Sequence, residues 1–166
     1  MPLIEETNLY NSIYASFELI QKYNVQMVAF VLMPNHLHFI VFIQNDAKAS
    51  LNKIIGNLKR FWAYEIVKRL KEQGKAKLLK VLSNGVQSNE KKNGKKHQVF
   101  RLSFDARICD SIKLLEQKIE YIHANPVSGK WNLVNDYLAY QHSSAKYYDD
   151  DLAKPLFLKD YRDILN

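Results

Sequence analysis

The chain has 166 residues, 47% of them hydrophobic, and a formal net charge of +7, which fits one globular domain with a core of its own. No run approaches the ~18 consecutive apolar residues of a membrane span. The start Met1-Pro2-Leu3-Ile4-Glu5-Glu6 has neither the basic beginning nor the apolar core of a secretion signal. The single cysteine, Cys109, has no partner for an internal disulfide, so a cytoplasmic protein is expected.

The positive charge is unevenly placed. Residues 48–101 hold 15 Lys or Arg against Glu65, Glu72 and Glu90, an excess of 12, whereas the rest of the chain holds 9 basic and 14 acidic residues, a deficit of five. A concentrated basic region beside acidic flanks is the electrostatic footprint of a nucleic-acid binder. The plainer alternative is a solvated basic loop.

In chain order, Tyr10 to Tyr23 reads as a helix with Ile13, Phe17, Leu19 and Ile20 as its apolar stripe and Thr7 or Asn8 as caps. Gln26 to Met33 and His36 to Ile43 read as strands joined at Pro34-Asn35, a β-hairpin with a short loop. Ser50 is placed to cap a long helix to about Leu70 whose apolar face is Leu51, Ile54, Ile55, Leu58, Trp62, Ile66 and Leu70. Another face of it carries Lys53, Asn57, Arg60, Tyr64, Lys68 and Lys71. Such a stripe is usually solvated, but Arg60 and Tyr64 interleaved with lysines suit phosphate contact and base stacking. Residues 83–97 read as a polar, basic loop and Gln98 to Phe104 as a short strand. A helix is expected from about Asp105, burying Ile108, Ile112, Leu115, Ile119 and Ile122, and ending at Asn125-Pro126 because the residue before proline is pushed out of the helical region. An aromatic segment, Trp131 to Tyr148, and a short amphipathic piece with Leu156, Phe157, Tyr161, Ile164 and Leu165 complete the chain. This order of elements predicts an α+β sandwich: an antiparallel sheet with helices packed on one face.

The chemistry centres on Met33-Pro34-Asn35-His36-Leu37-His38-Phe39-Ile40-Val41. Side chains alternate faces along a strand, so His36 and His38 point the same way with roots roughly 6–7 Å apart, within reach of one metal ion. A helix would turn the same pair about 200° apart. A lone histidine in an apolar strand is usually a satisfied core residue. Two on one face each need polar partners of their own, which makes a metal site the sharper reading. Farther on, Tyr121 and Asn125 lie four apart on one helix face. A phenol at the margin of the buried stripe, near histidines and a basic surface, is a candidate nucleophile toward a phosphodiester, and Asn125 offers a neutral oxygen as a further metal ligand. The bland reading is one tyrosine among ten and an ordinary Asn-Pro helix stop.

Met33-Pro-Asn-His-Leu-His-Phe-Ile-Val followed by Tyr121-Ile-His-Ala-Asn-Pro-Val resembles the single-tyrosine HUH transposases, in particular the REP-associated, IS200-like tyrosine transposase group. The likeness extends to Leu58-Lys59-Arg60-Phe61-Trp62, Val99-Phe100-Arg101-Leu102-Ser103-Phe104 and His142-Ser143-Ser144-Ala145, over roughly residues 10–148. It implies a ferredoxin-like catalytic domain over 1–148 and a C-terminal amphipathic extension over 149–166. It implies His36, His38 and Asn125 as ligands of Mg²⁺ or Mn²⁺, and Tyr121 as the residue that attacks a DNA phosphate to give a 5′-phosphotyrosine and a free 3′-OH. Lys53, Arg60, Tyr64 and Lys68 are the expected DNA-binding residues. The substrate implied is single-stranded or hairpin DNA, cut and rejoined in transposition by a nucleoid-associated protein, with a homodimer as the expected assembly. The alternative is an inactive or domesticated relative that binds hairpin DNA without cutting it. A third reading is a metal-dependent hydrolase that uses water. One departure stands out: family members carry a central strand before the first helix, and only seven to nine residues precede that helix here, so the strand is expected to be short or missing.

Overall fold

The computed structural model describes residues 1–101, 104–129, 131–149, 152 and 154–164. Val25–Leu32 (β1) and Leu37–Ile43 (β2) pair antiparallel, with Phe30 opposite Phe39, Val31 opposite His38 and Leu32 opposite Leu37. Beyond them the Met33 N–H donates to the His36 carbonyl at 2.8 Å, so Pro34 and Asn35 form the two-residue loop expected from sequence. Proline fits there because it has no ladder N–H to lose. A register shift between Met27 and Ala29 leaves Val28 as a bulge.

Every residue of β1 except Gln26 is buried, and this decides the layering. One face of the hairpin, with Met27, Phe30, Leu32 and Phe39, packs on Ile13 and Phe17 of helix α2 (Tyr10–Ile20) and on Ile54, Leu58, Trp62 and Ile66 of helix α3 (Leu51–Glu72). The opposite face, with Val28, Ala29, Val31 and Ile40, packs on Ile119 and Ile122 of helix α6 (Ile112–Ala124). The α+β class with an antiparallel sheet stands. The helices, however, cover both faces rather than one, because a strand apolar on both sides cannot leave either side in water.

The far edge of β1 is met by chain rather than by a first strand. Residues Leu3–Glu6 form a one-turn helix, α1. The Leu32 N–H donates to the His142 carbonyl at 2.8 Å, Ser144 N–H to Phe30 O at 2.9 Å, and Lys159 N–H to Met27 O at 2.8 Å. The Ser144 hydroxyl accepts from the Phe30 N–H at 2.9 Å. Backbone groups that an absent strand would have orphaned are thereby paired. The same stitching brings Phe157 and Leu158 into the main core.

Several local expectations are corrected. Helix α2 has no side-chain cap: Leu9 is the cap residue, the Thr7 hydroxyl donates to Leu3 O, and Asn8 takes φ 47. Leu19 is exposed. Ser50 does cap α3, accepting from the Lys53 N–H, but residues 83–97 are not a plain loop: α4 (Ala76–Asn84) ends inside this stretch and α5 (Ser88–Lys92) lies within it. Leu78, Leu79 and Leu82, just before this stretch, give α4 an apolar face that packs on the core. Residues 98–101 and 104 are not in a strand, and 102–103 lie outside the described residues. Helix α6 begins at Ile112, where Ser111 caps it by accepting from the Leu114 N–H, and Ile108 is 88% exposed. At its end Asn125 keeps helical angles (φ −54, ψ −42) and the chain passes into a 3₁₀ turn, Asn125–Val127. The last two short helices are α7 (Lys146–Asp149) and α8 (Tyr161–Ile164), and Leu165 lies outside the described residues. Among the described residues no helix is long and apolar enough to cross a membrane.

Candidate active site

His36 stands at the last loop-side position of the hairpin and His38 is the second residue of β2. Their rings meet perpendicular with centroids 4.9 Å apart, on the face that α6 covers. Asn35 is in hydrogen-bond contact with His36 Nδ1 through its Oδ1. A carbonyl oxygen accepts, so Nδ1 carries the hydrogen in this contact and Nε2 is the ring nitrogen on the other side. Burial holds the His38 imidazole below its ordinary pKa, which favours the neutral, ligand-competent form. The loop itself is anchored: the N–H groups of Ile4 and Glu5 in α1 both donate to Pro34 O, at 3.0 and 3.3 Å.

Helix α6 brings the third group. Ile119 and Ile122 seat the helix on the sheet, and His123 behind it contacts the Ser144 hydroxyl at 2.8 Å. Tyr121 thereby faces outward, 60% exposed, with its ring 5.9 Å from that of His38. The cluster therefore joins the hairpin to a tyrosine more than eighty residues downstream.

Asn125 sits one turn beyond Tyr121, where its Nδ2 donates to the Tyr121 carbonyl at 2.7 Å. That bond ties the amide to the helix end. Among the described residues no group of three or more His, Cys, Asp or Glu is placed to hold a metal. By type the two imidazoles suit Zn²⁺ and other softer divalent ions, so the choice of Mg²⁺ or Mn²⁺ rests on the family resemblance and not on these residues.

The predicted DNA-binding residues Lys53, Arg60, Tyr64 and Lys68 are all exposed on α3, Tyr64 at 70%. Arg60 donates to Asn57 Oδ1 at 3.3 Å. They belong to the layer on the other side of the sheet from Tyr121, so they do not join the histidine–tyrosine cluster.

The structure adds two neighbours that sequence reasoning missed. The Lys118 ammonium lies 6.0 Å from the centre of the Tyr121 ring, and Trp131 lies 6.4 Å from the His36 ring. The first was available as an i, i+3 pair on a helix. The second comes from a separate segment and had no local signal. Of the other tyrosines, Tyr140 is buried and donates its hydroxyl to Leu32 O at 2.7 Å, with its pKa pushed up by desolvation. Tyr137 donates to Asp149. Neither shares the place of Tyr121 beside His38.

Residues 7–85 match the family model described as Transposase IS200 like. The matched stretch contains α2, the hairpin with both histidines, α3 and α4, and it supports DNA transposition as the setting and DNA as the partner. No curated protein and no solved structure matches the chain.

Proposed function

We propose that this protein cuts and rejoins single-stranded DNA, with Tyr121 as the nucleophile and a covalent 5′-phosphotyrosine intermediate. The observation that carries this reading is the convergence of an exposed phenol on a paired-imidazole site, with the Tyr121 ring 5.9 Å from His38 and His38 4.9 Å from His36. In the reaction Tyr121 Oη bonds to phosphorus and loses its proton to solvent. The P–O3′ bond breaks, and the departing 3′ oxygen takes up a proton. Attack by another 3′-OH on the phosphotyrosine reverses these changes and restores the phenol, so rejoining needs no external energy source. His36 and His38, with Asn125 Oδ1, are the groups to hold a divalent cation. A bound cation would supply Lewis-acid neutralisation of the phosphate charge. Lys118 adds a fixed positive charge on the Tyr121 side, and the α3 face holds DNA through Lys53, Arg60 and Lys68 with Tyr64 for stacking.

The test is incubation of the protein with labelled hairpin single-stranded DNA and Mn²⁺, followed by a denaturing gel. A protein–DNA adduct is expected in the wild type and lost in Tyr121→Phe, which removes one oxygen and leaves folding and DNA affinity nearly unchanged. His38→Ala is expected to abolish cutting as well. An adduct that persists in Tyr121→Phe defeats the assignment. A second reading, a relative that binds hairpin DNA without cutting it, is favoured by the absence, among the described residues, of a cluster of three His, Cys, Asp or Glu that could hold a metal; DNA that shifts in a native gel but is never cut would decide for it.

A further inference from the structure

A length of chain that is neither helix nor strand, residues 95–101, lies between α3 and α4. It is pinned at three points: the Gln98 N–H donates to Leu82 O of α4 at 2.8 Å, Phe100 meets Trp62 of α3 with ring centres 6.3 Å apart, and Lys59 of α3 donates to the Arg101 carbonyl. Val99 and Phe100 turn toward the core, while Lys96 and Arg101 are exposed. The segment therefore sets a row of cations against those of α3. Lys71 of α3 and Lys96 are the charged groups that bear on His97, and both lower its pKa after the larger effect of burial. Lys95 acts on Lys59 in the same way and is itself paired with Glu90 of α5 at 2.7 Å. Like charges held together in this manner cost the folded chain energy, and a polyanion laid across them turns that cost into attraction.

We propose that the strip formed by Lys71, Lys96, His97 and Arg101 binds the phosphate backbone of hairpin DNA and takes up a proton at His97 on binding. The inference rests on the DNA-binding part of the proposed function and extends it beyond α3. Lys71 follows Lys68 by three residues on α3, so DNA held on that helix can continue onto the strip without leaving positive surface. A phosphate between Lys71 and Lys96 cancels the repulsion that disfavours the imidazolium, and proton uptake follows by linkage.

The experiment is fluorescence anisotropy of a labelled hairpin oligonucleotide with the full chain, over a salt series at about pH 5.5 and about pH 7.5. Lys71→Gln/Lys96→Gln should reduce the steepness of log K against log salt by about 1.4, two contacts at about 0.7 each on single strands. Lys71→Arg/Lys96→Arg should keep the wild-type slope, which separates charge from folding damage. The wild type should bind about three- to tenfold tighter at the lower pH, within the tenfold that one pKa unit allows, and His97→Gln should lose that gain. An unchanged slope in the double variant, or a pH gain that survives in His97→Gln, overturns the proposal. Adduct formation at Tyr121, scored separately on gels, shows whether the cutting reaction stands or falls independently of the strip.

Discussion

His123 and Tyr121, two residues apart on α6, show how burial assigns different work to neighbouring positions. His123 is 5% exposed and its pKa is pushed down to about 4, first by desolvation, with Asp149 opposing. The fold thus prefers the neutral ring, while the unfolded chain titrates near the ordinary 6.5. Its contribution to stability is complete above pH 6.5, falls as the pH drops toward 4, and amounts to on the order of 3 kcal/mol across that window. Chemical denaturation at a series of pH values between 7 and 4 should show this loss, and His123→Gln should flatten it. A wild-type curve with no loss between those limits would contradict the burial argument. Tyr121 takes the opposite role: its ring is exposed, and Tyr121→Phe should alter adduct yield with stability held within about 0.5 kcal/mol, the usual range for surface substitutions.

Among the elements, α3 divides its surface most sharply. Its buried side, Ile54, Leu58, Trp62, Ile66 and Leu70, supplies much of the main core, and the Trp62 indole donates to the Ser16 hydroxyl of α2 at 2.9 Å. At its C-terminal end Arg69 reaches Thr7 O at 3.0 Å and the Ser12 hydroxyl at 2.7 Å, which locks the helix to the start of α2. The outer side is left to Lys53, Arg60, Tyr64 and Lys68. Replacing the three basic residues of that set by alanine should weaken binding to many DNA sequences together and flatten the salt slope by about 2, three contacts at about 0.7 each. Hairpin preference should largely survive, since phosphate contacts position DNA without reading it. Anisotropy titrations of matched hairpin and linear oligonucleotides measure both effects, and a slope equal to that of the wild type would remove α3 from the interface.

At the scale of the whole molecule, β1 is the shared wall. Helices α2 and α3 lean on one side of it, α6 leans on the other, and β2 and the C-terminal chain hold its two edges. The candidate active site therefore depends on parts that never touch it. Phe157 is buried against Tyr14, Phe17 and Phe30, with ring centres within 5.6 to 6.1 Å. Phe157→Ala should cost about 3–5 kcal/mol, the range for deleting a buried aromatic ring. Because the same segment bonds to Met27 O of β1, adduct yield should fall along with the thermal midpoint in that variant. A thermal midpoint equal to that of the wild type would show that the C-terminal segment is dispensable for the core.

The sequence by itself determined the local features of this protein. Period-two patterning carried the hairpin and the shared direction of His36 and His38. Helical spacing carried the buried side of α3, and Ser50 marked its start, because these signals arise between residues a few positions apart. The HxH run and the downstream Tyr121 were legible as separate motifs, and so was the basic excess of residues 48–101. Tertiary structure alone decided where the motifs meet. That Tyr121 lies beside His38, that helices cover both faces of the sheet, and that residues 142–144 and 159 take the edge of β1 all follow from a doubly apolar strand seeking partners from distant parts of the chain. Local spacing also failed at Ile108, which the helical pattern of residues 105–122 placed on a buried face and which is exposed ahead of the start of α6. Pairing of a strand edge and burial of an apolar face are satisfied by whichever segment arrives with the right shape, and no spacing along the chain names that segment in advance.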